Sequence, residues 1–241
     1  MIQKTQGIVL HSLRYGETSI IARIFTRDLG MQSFLVPGVR KTRSRVKMNL
    51  FQPLTPVDLV VYFKEGGGLL RIKEISCPEP LKTIPYDILK SAIAMFLSEI
   101  LSKSLKEQDP NEALFAFFTD ATGILDRSGE RLADFHLVFM LQLSSYLGFQ
   151  PRNNHDQVNS FFNLREGLFE RQYESGEVCL DKDLSRAFHE VSTRTISDFS
   201  SLRIPAGVRR QLLARTIDYY RYHLPGIGEI RSHRVLETVL H

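Results

Sequence analysis

Five cations, Arg40, Lys41, Arg43, Arg45 and Lys47, fall within eight consecutive positions of this chain, and no acidic residue occurs between Asp28 and Asp58. The chemistry open to such a run is electrostatic. Guanidinium and ammonium groups donate to phosphate oxygens, and arginine also stacks on a base. A loop that only kept the protein soluble would do as well with mixed charges, so the single sign favours polyanion binding. Arg14, Arg23 and Arg27 lie on or beside the preceding strand-like segments and extend the expected track. The rings of the same half, Tyr15, Phe25, Phe34, Phe51, Tyr62 and Phe63, are of the kind that stacks on bases in single-strand binders. Most should fill a barrel interior. Tyr15, at a turn and next to Arg14, is the one expected to be exposed.

Nothing in the chain reads as catalytic. Gly66-Gly67-Gly68 is not followed by a Gly-Lys-Ser/Thr helix start, so it is expected at a hairpin tip rather than around a phosphate. After His189-Glu190, position 193 is Thr where a zinc protease helix needs His. Asp181, Asp183 and Asp218 are expected as helix caps and exposed faces, not as a paired metal site. Two rivals remain open on these residues alone: an RNA-binding module, and a metal-dependent nuclease that would need a carboxylate motif not seen here.

The elements that must hold the basic run change character along the chain. Up to residue 80 there are 12 Lys/Arg against 6 Asp/Glu; beyond it, 19 against 21. Five strand-like segments occupy the first part: Gly7–Tyr15, Ser19–Thr26, Met31–Val36, Val57–Phe63 and Leu69–Ile75. Gly16, Gly30, Pro37-Gly38 and the glycine run supply their turns. Five short strands with one long connection, between the third and fourth, match a Greek-key barrel of the OB type, and the basic run lies in that connection. Prolines 78, 80 and 85 then break the pattern, placing a domain boundary at residue 80.

From residue 81 to 241 the apolar period becomes about 3.6, so the fold class is α+β: an OB barrel followed by a helical bundle. Ile88/Leu89, Ala92/Ile93, Phe96/Leu97 and Ile100/Leu101 mark a first helix. Asp109-Pro110 reads as the start of a second, and Arg131–Leu147, apolar on nearly every side, as the buried centre. Residues 150–180 read as an irregular insert with a hairpin-like Phe161–Phe169. Helices return near Leu184–Val191 and from Pro205 or Ala206 to Leu224, before a tail at Arg234–Leu240. Met1–Gln6 does not read as a secretion signal, and the Phe135–Leu147 run is too short to span a membrane. Cys77 and Cys179 imply no disulfide framework, in keeping with a reducing cytoplasm.

Several segments in order resemble the bacterial recombination mediator RecO family: Thr5–Leu10, Tyr15-Gly-Glu-Thr-Ser19, Phe25-Thr26, Gly30, Pro37-Gly-Val-Arg-Lys41 with Ser44-Arg45, Ile72–Ile75, Tyr146-Leu-Gly-Phe-Gln-Pro151 and Tyr222-His-Leu224. The resemblance implies a DNA repair protein of the cytoplasm and nucleoid, without membrane association. Such a protein binds single- and double-stranded DNA, anneals strands, and works with RecR to load the recombinase RecA on strands coated by single-strand-binding protein. It also implies a docking place for that protein's acidic C-terminal tail. The helix of residues 206–224, mixing Leu213 with Arg209, Arg210 and Arg215, is the candidate. Many members hold a four-cysteine zinc in the insert. Here Arg152–Leu180 offers only Cys179 and His155, so no zinc and no other cofactor is expected.

Overall fold

The structure is a computed structural model of residues 1–241, which describes all of them except 42, 43, 45, 65, 67, 106–108, 130, 174–177 and 241. Five strands, β1 (Ile2–Tyr15), β2 (Ser19–Thr26), β3 (Gly30–Val36), β4 (Pro56–Tyr62) and β5 (Leu70–Ser76), close into a barrel in the order β1-β2-β3-β5-β4. The pairing is antiparallel except between β3 and β5, and β1 closes the circle on β4. This is the OB arrangement expected from the sequence. Val9, Ile20, Ala22, Ile24, Phe34, Val57, Leu59, Val61 and Leu70 point inward as a dry core. In the long connection a 3-10 turn, Met48–Phe51, adds Phe51 to that core, and the Ser12 hydroxyl donates to the Phe51 carbonyl.

Two glycines are required where they stand. Gly16 has φ +60°, the left-handed conformation that tightens the β1–β2 turn. At Gly7 a Cβ would lie 2.6 Å from Cγ2 of the buried Ile24, so any side chain there would force the core around Ile24 to shift.

The chain divides into two units, residues 1–127 and 128–241, so the first runs well past the boundary expected at residue 80. Helices α1 (Ile88–Ser104) and α2 (Glu112–Arg127) belong with the barrel. Within this unit a polar knot that sequence periodicity does not show joins the connector to the two helices. The buried Asp126 carboxylate accepts from the backbone N–H groups of Lys82, Thr83 and Ile84, tying the proline-rich connector to the end of α2. Burial works against its charge, yet these three N–H groups and the Thr83 hydroxyl hold the carboxyl below the usual range. Lys90, also buried, donates to the Thr83 hydroxyl and the Asp126 carbonyl. On the barrel side, Phe25 packs on Phe115 at 5.8 Å.

Helix starts differ from expectation by local chemistry. Asn111, not Asp109, caps α2: its Oδ1 accepts from the Leu114 N–H at 2.9 Å. The third helix, α3 (Phe135–Tyr146), begins at Asp134 rather than Arg131 and is buried on most sides, as its composition predicts. Against it pack α4 (Lys182–Ser192) and α5 (Ala206–His223), and α6 (His233–Leu240) follows in the chain. The expected hairpin is present as β6 (Phe161–Asn163) and β7 (Leu168–Glu170), and a bridge from Asn163 to Cys179 brings the chain back beside it. Aromatic packing holds this insert down. Phe162 stacks on Phe188 of α4 at 4.1 Å and meets Tyr219 of α5 at 5.7 Å.

His136 lies wholly inside this second unit, and burial, reinforced by the charge of Arg209, drives its pKa down to about 3. The unfolded chain takes up a proton on this side chain below about pH 6.5 and the folded chain does not. Stability is therefore complete above that pH and falls as the pH drops toward 3, by about 1.4 kcal/mol per pH unit. Urea unfolding of the full chain is expected to lose about 2 kcal/mol from this group between pH 6.5 and 5. His136→Gln should flatten that part of the profile.

Candidate nucleic-acid interface

The basic connection leaves the barrel beside the β1–β2 turn. The Arg40 N–H donates to the Thr18 carbonyl at 3.0 Å, and its guanidinium donates to the Glu17 carbonyl at 2.9 Å. Lys41 follows in a turn closed by its N–H on the Gly38 carbonyl. Arg14, opposite Ile20 in the register, reaches the same end of the barrel from the last residues of β1. Arg14, Arg40 and Lys41 are exposed there, and Tyr15 is 53% exposed, as expected. Lys47 is exposed at the start of the 3-10 turn. Arg43 and Arg45 lie outside the described residues, as does Gly67.

Two of the expected track residues are placed elsewhere. Arg23 is half-buried, and its guanidinium donates to the carbonyl of Leu105, the C-cap of α1, at 3.1 Å. It braces a helix against β2 instead of standing open on the strand. Arg27 lies at the far end of β2, an eight-residue strand of about 26 Å, with its guanidinium over the Phe115 ring at 5.3 Å. There it borders a separate groove of mixed charge with Lys4, Asp28, Asp58 and Glu74.

The four residues expected to dock a partner do not share a surface. Arg209 and Leu213, one turn apart on α5, both point into the core. The Arg209 guanidinium is 2.7 Å from Oδ1 of Asp134, with the two side chains 4% and 3% exposed, and it also donates to the Ile204 carbonyl. Arg210 is exposed on another side, and Arg215 is bonded to Asp218 at 3.2 Å. The expected hydrophobic-plus-basic groove of these four is therefore corrected: its central cation neutralises a buried carboxylate.

A cation outside the basic run also lies on the barrel's outer surface. Arg71 is exposed and paired with Leu35 on one side and Tyr62 on the other. Its neighbours depend on the parallel β3–β5 contact and on a bulge between Val60 and Val61 that no local pattern encodes.

Residues 1–80 match the family description "Recombination protein O N terminal", and residues 85–232 match "Recombination protein O C terminal". The chain belongs to the RecO family. It is 37% identical to the DNA repair protein RecO of Phocaeicola vulgatus over 99% of each chain. It is 36% identical to that of Bacteroides fragilis over 99% of each, and 34% identical to that of Flavobacterium psychrophilum over 98% of each. The break between the two RecO matches falls at the end of the barrel. The OB barrel, the helical remainder and the DNA-repair assignment of the RecO family thus describe one chain.

The zinc that the RecO resemblance implies for many members does not fit these residues. Among the described residues no three His, Cys, Asp or Glu side chains gather into a metal-holding group. Cys179 is buried in its bridge to Asn163, and the ring of His155 lies on that of His189 at 4.5 Å. Nor is any helix of the described residues long and apolar enough to cross a membrane.

Proposed function

We propose that the protein is a recombination mediator that binds single- and double-stranded DNA, anneals complementary strands, and acts with RecR to place the recombinase RecA on strands coated by single-strand-binding protein. The observation that carries this reading is the single-signed run Arg40–Lys47 leaving an OB barrel beside Arg14 and Tyr15, at the end where such barrels hold oligonucleotides. A cationic surface offsets the repulsion between two phosphate backbones, so annealing needs neither nucleotide nor metal. The protein is accordingly not an enzyme in this reading and works in the cytoplasm at the nucleoid. RecR and the C-terminal tail of single-strand-binding protein are its proposed protein partners, and Arg209 and Leu213 form no part of their contacts.

Annealing of two complementary labelled strands, followed by fluorescence, is expected to be faster with the protein present and to need no magnesium. Competition by DNA over RNA of equal length is expected to favour DNA. Preference for RNA would transfer the barrel to RNA processing, and cleavage of the strands with magnesium or manganese would make the protein a nuclease. Elemental analysis of the purified protein is expected to find no stoichiometric zinc; one equivalent would sink the reading of the insert.

A further inference from the structure

We infer that residues 154–160 of the second unit are held down by a proton-sensitive clasp, the stacked imidazoles of His155 and His189, which opens once both rings are charged. The rings lie face to face, 4.5 Å between centroids with their planes 21° apart. His155 belongs to the segment that runs from α3 to β6, and His189 to α4. The buried ring of Phe169 on β7 meets both nearly at right angles, at 4.9 Å and 5.7 Å. Asn154 fastens the same segment to β7: its Nδ2 donates to the Phe169 carbonyl and its Oδ1 accepts from the Phe169 N–H. At the far end the Ser160 N–H donates to the Glu170 carbonyl. The ring pair thus sits between two attachments of one short segment to the hairpin, and it alone ties that segment to α4 through groups that titrate near neutrality.

One proton on the pair is tolerated. The Asp156 carboxylate, next to His155 in the chain, accepts from the Asn159 and Val158 N–H groups. Those bonds hold it below the usual carboxylate range, and the charge of His155 adds to the effect. It is therefore negative wherever imidazoles titrate, and it offsets a charge on His155. A second proton meets opposite surroundings. Nδ1 of His189 is buried with no hydrogen-bond partner among the described residues. The neutral ring keeps its proton on Nε2, so the charged ring must place an N–H where nothing accepts it. Burial, and then the charge of His155, push His189 below the usual imidazole range. The remaining charges around the pair oppose one another. Lys182, Asp183 and Arg186 of α4 line with His155 one cavity of about 470 Å³, where Arg186 stands 3.8 Å from Asp183. Glu170 of β7 takes a hydrogen bond from Asn163, and Glu190 is exposed beside His189. His136 of α3 and Tyr219 of α5, both buried, are uncharged in this range, and Arg215 of α5 is bonded to Asp218. No fixed charge near His189 therefore compensates the second proton, which is relieved when the segment lifts and both rings reach water.

Amide hydrogen exchange of the full chain, corrected for the intrinsic rate, reads the clasp at Ser160 and Phe169, whose N–H groups fasten the segment. The open segment holds about one proton more than the closed one below about pH 6.5, so protection there is expected to fall by up to about tenfold per pH unit toward about pH 5. His189→Phe keeps a ring under His155 that takes no proton, and should abolish the fall at these two amides. His155→Phe removes only the repulsion and should make the fall shallower. Imidazole proton shifts give a second measurement: His189 should titrate below the usual range in the unsubstituted protein and higher in His155→Phe. The same fall in both variants as in the unsubstituted protein, or no fall in the latter, would overturn the proposal. Should a phenylalanine variant fail to fold, the titration of His189 in the unsubstituted protein decides, and a midpoint at or above the usual imidazole range sinks the clasp.

Discussion

Replacing Arg40, Lys41, Arg43, Arg45 and Lys47 together by alanine is expected to flatten the salt dependence of duplex binding from a slope near −4 toward zero. Each cation that neutralises a phosphate releases a condensed counterion, and about five such contacts give a slope near −4 on duplex DNA. The unsubstituted protein should accordingly lose roughly 10² to 10³ in affinity between about 50 and 200 mM salt, and the variant little. Arg14→Ala alone should reduce the slope by about one, because Arg14 stands at the same end of the barrel. Arg23→Ala should leave it unchanged, because that guanidinium is committed to the Leu105 carbonyl. A matched control is Arg165, Arg171, Arg186, Arg203 and Arg210, all exposed in the second unit, changed together to alanine. It alters the net charge by the same amount and is expected to keep the steep slope. If the two five-residue variants behave alike, binding follows overall charge and the assigned site is wrong. A salt titration by fluorescence anisotropy on one duplex decides between them.

How much of this could be read beforehand depended on the range of the interaction concerned. The barrel strands were legible because alternation and turn glycines such as Gly16 and Gly30 act within a few residues. The basic run was legible for the same reason, being contiguous in the chain. Arg23 misled because a strand position that looks open in sequence is closed by a helix end more than eighty residues on. The compact unit outlasts the barrel because Arg23 and Phe25 of β2 reach the Leu105 carbonyl and the Phe115 ring in the helices beyond it, and nothing in the spacing of these residues announces it.

The largest loss of stability is expected at Arg209, the residue whose sequence environment suggested an exposed partner contact. Its guanidinium and the Asp134 carboxylate are 2.7 Å apart with almost no exposure, and the Ile204 carbonyl takes a second hydrogen bond from the arginine. Asp134 immediately precedes α3, where the helix dipole favours its negative charge but cannot replace a lost cation. Arg209→Met removes the partner and leaves that charge in the interior, at an expected cost of about 3–5 kcal/mol in urea unfolding. The double variant Arg209→Met with Asp134→Leu should recover most of the loss, because an apolar pair of similar volume needs no desolvation of ions. Removing Arg209 alone also removes a positive charge acting on His136, so the pH profile of that variant should show His136 titrating higher than in the unsubstituted protein. Arg210→Ala, one position along and facing solvent, is expected to change stability by less than about 0.5 kcal/mol. The contrast between adjacent arginines is what separates a buried ion pair from a surface charge. Were Arg209→Met to unfold at the urea concentration of the unsubstituted protein, the pair would not be holding α5 to the start of α3, and Arg209 would return to candidacy as a surface contact.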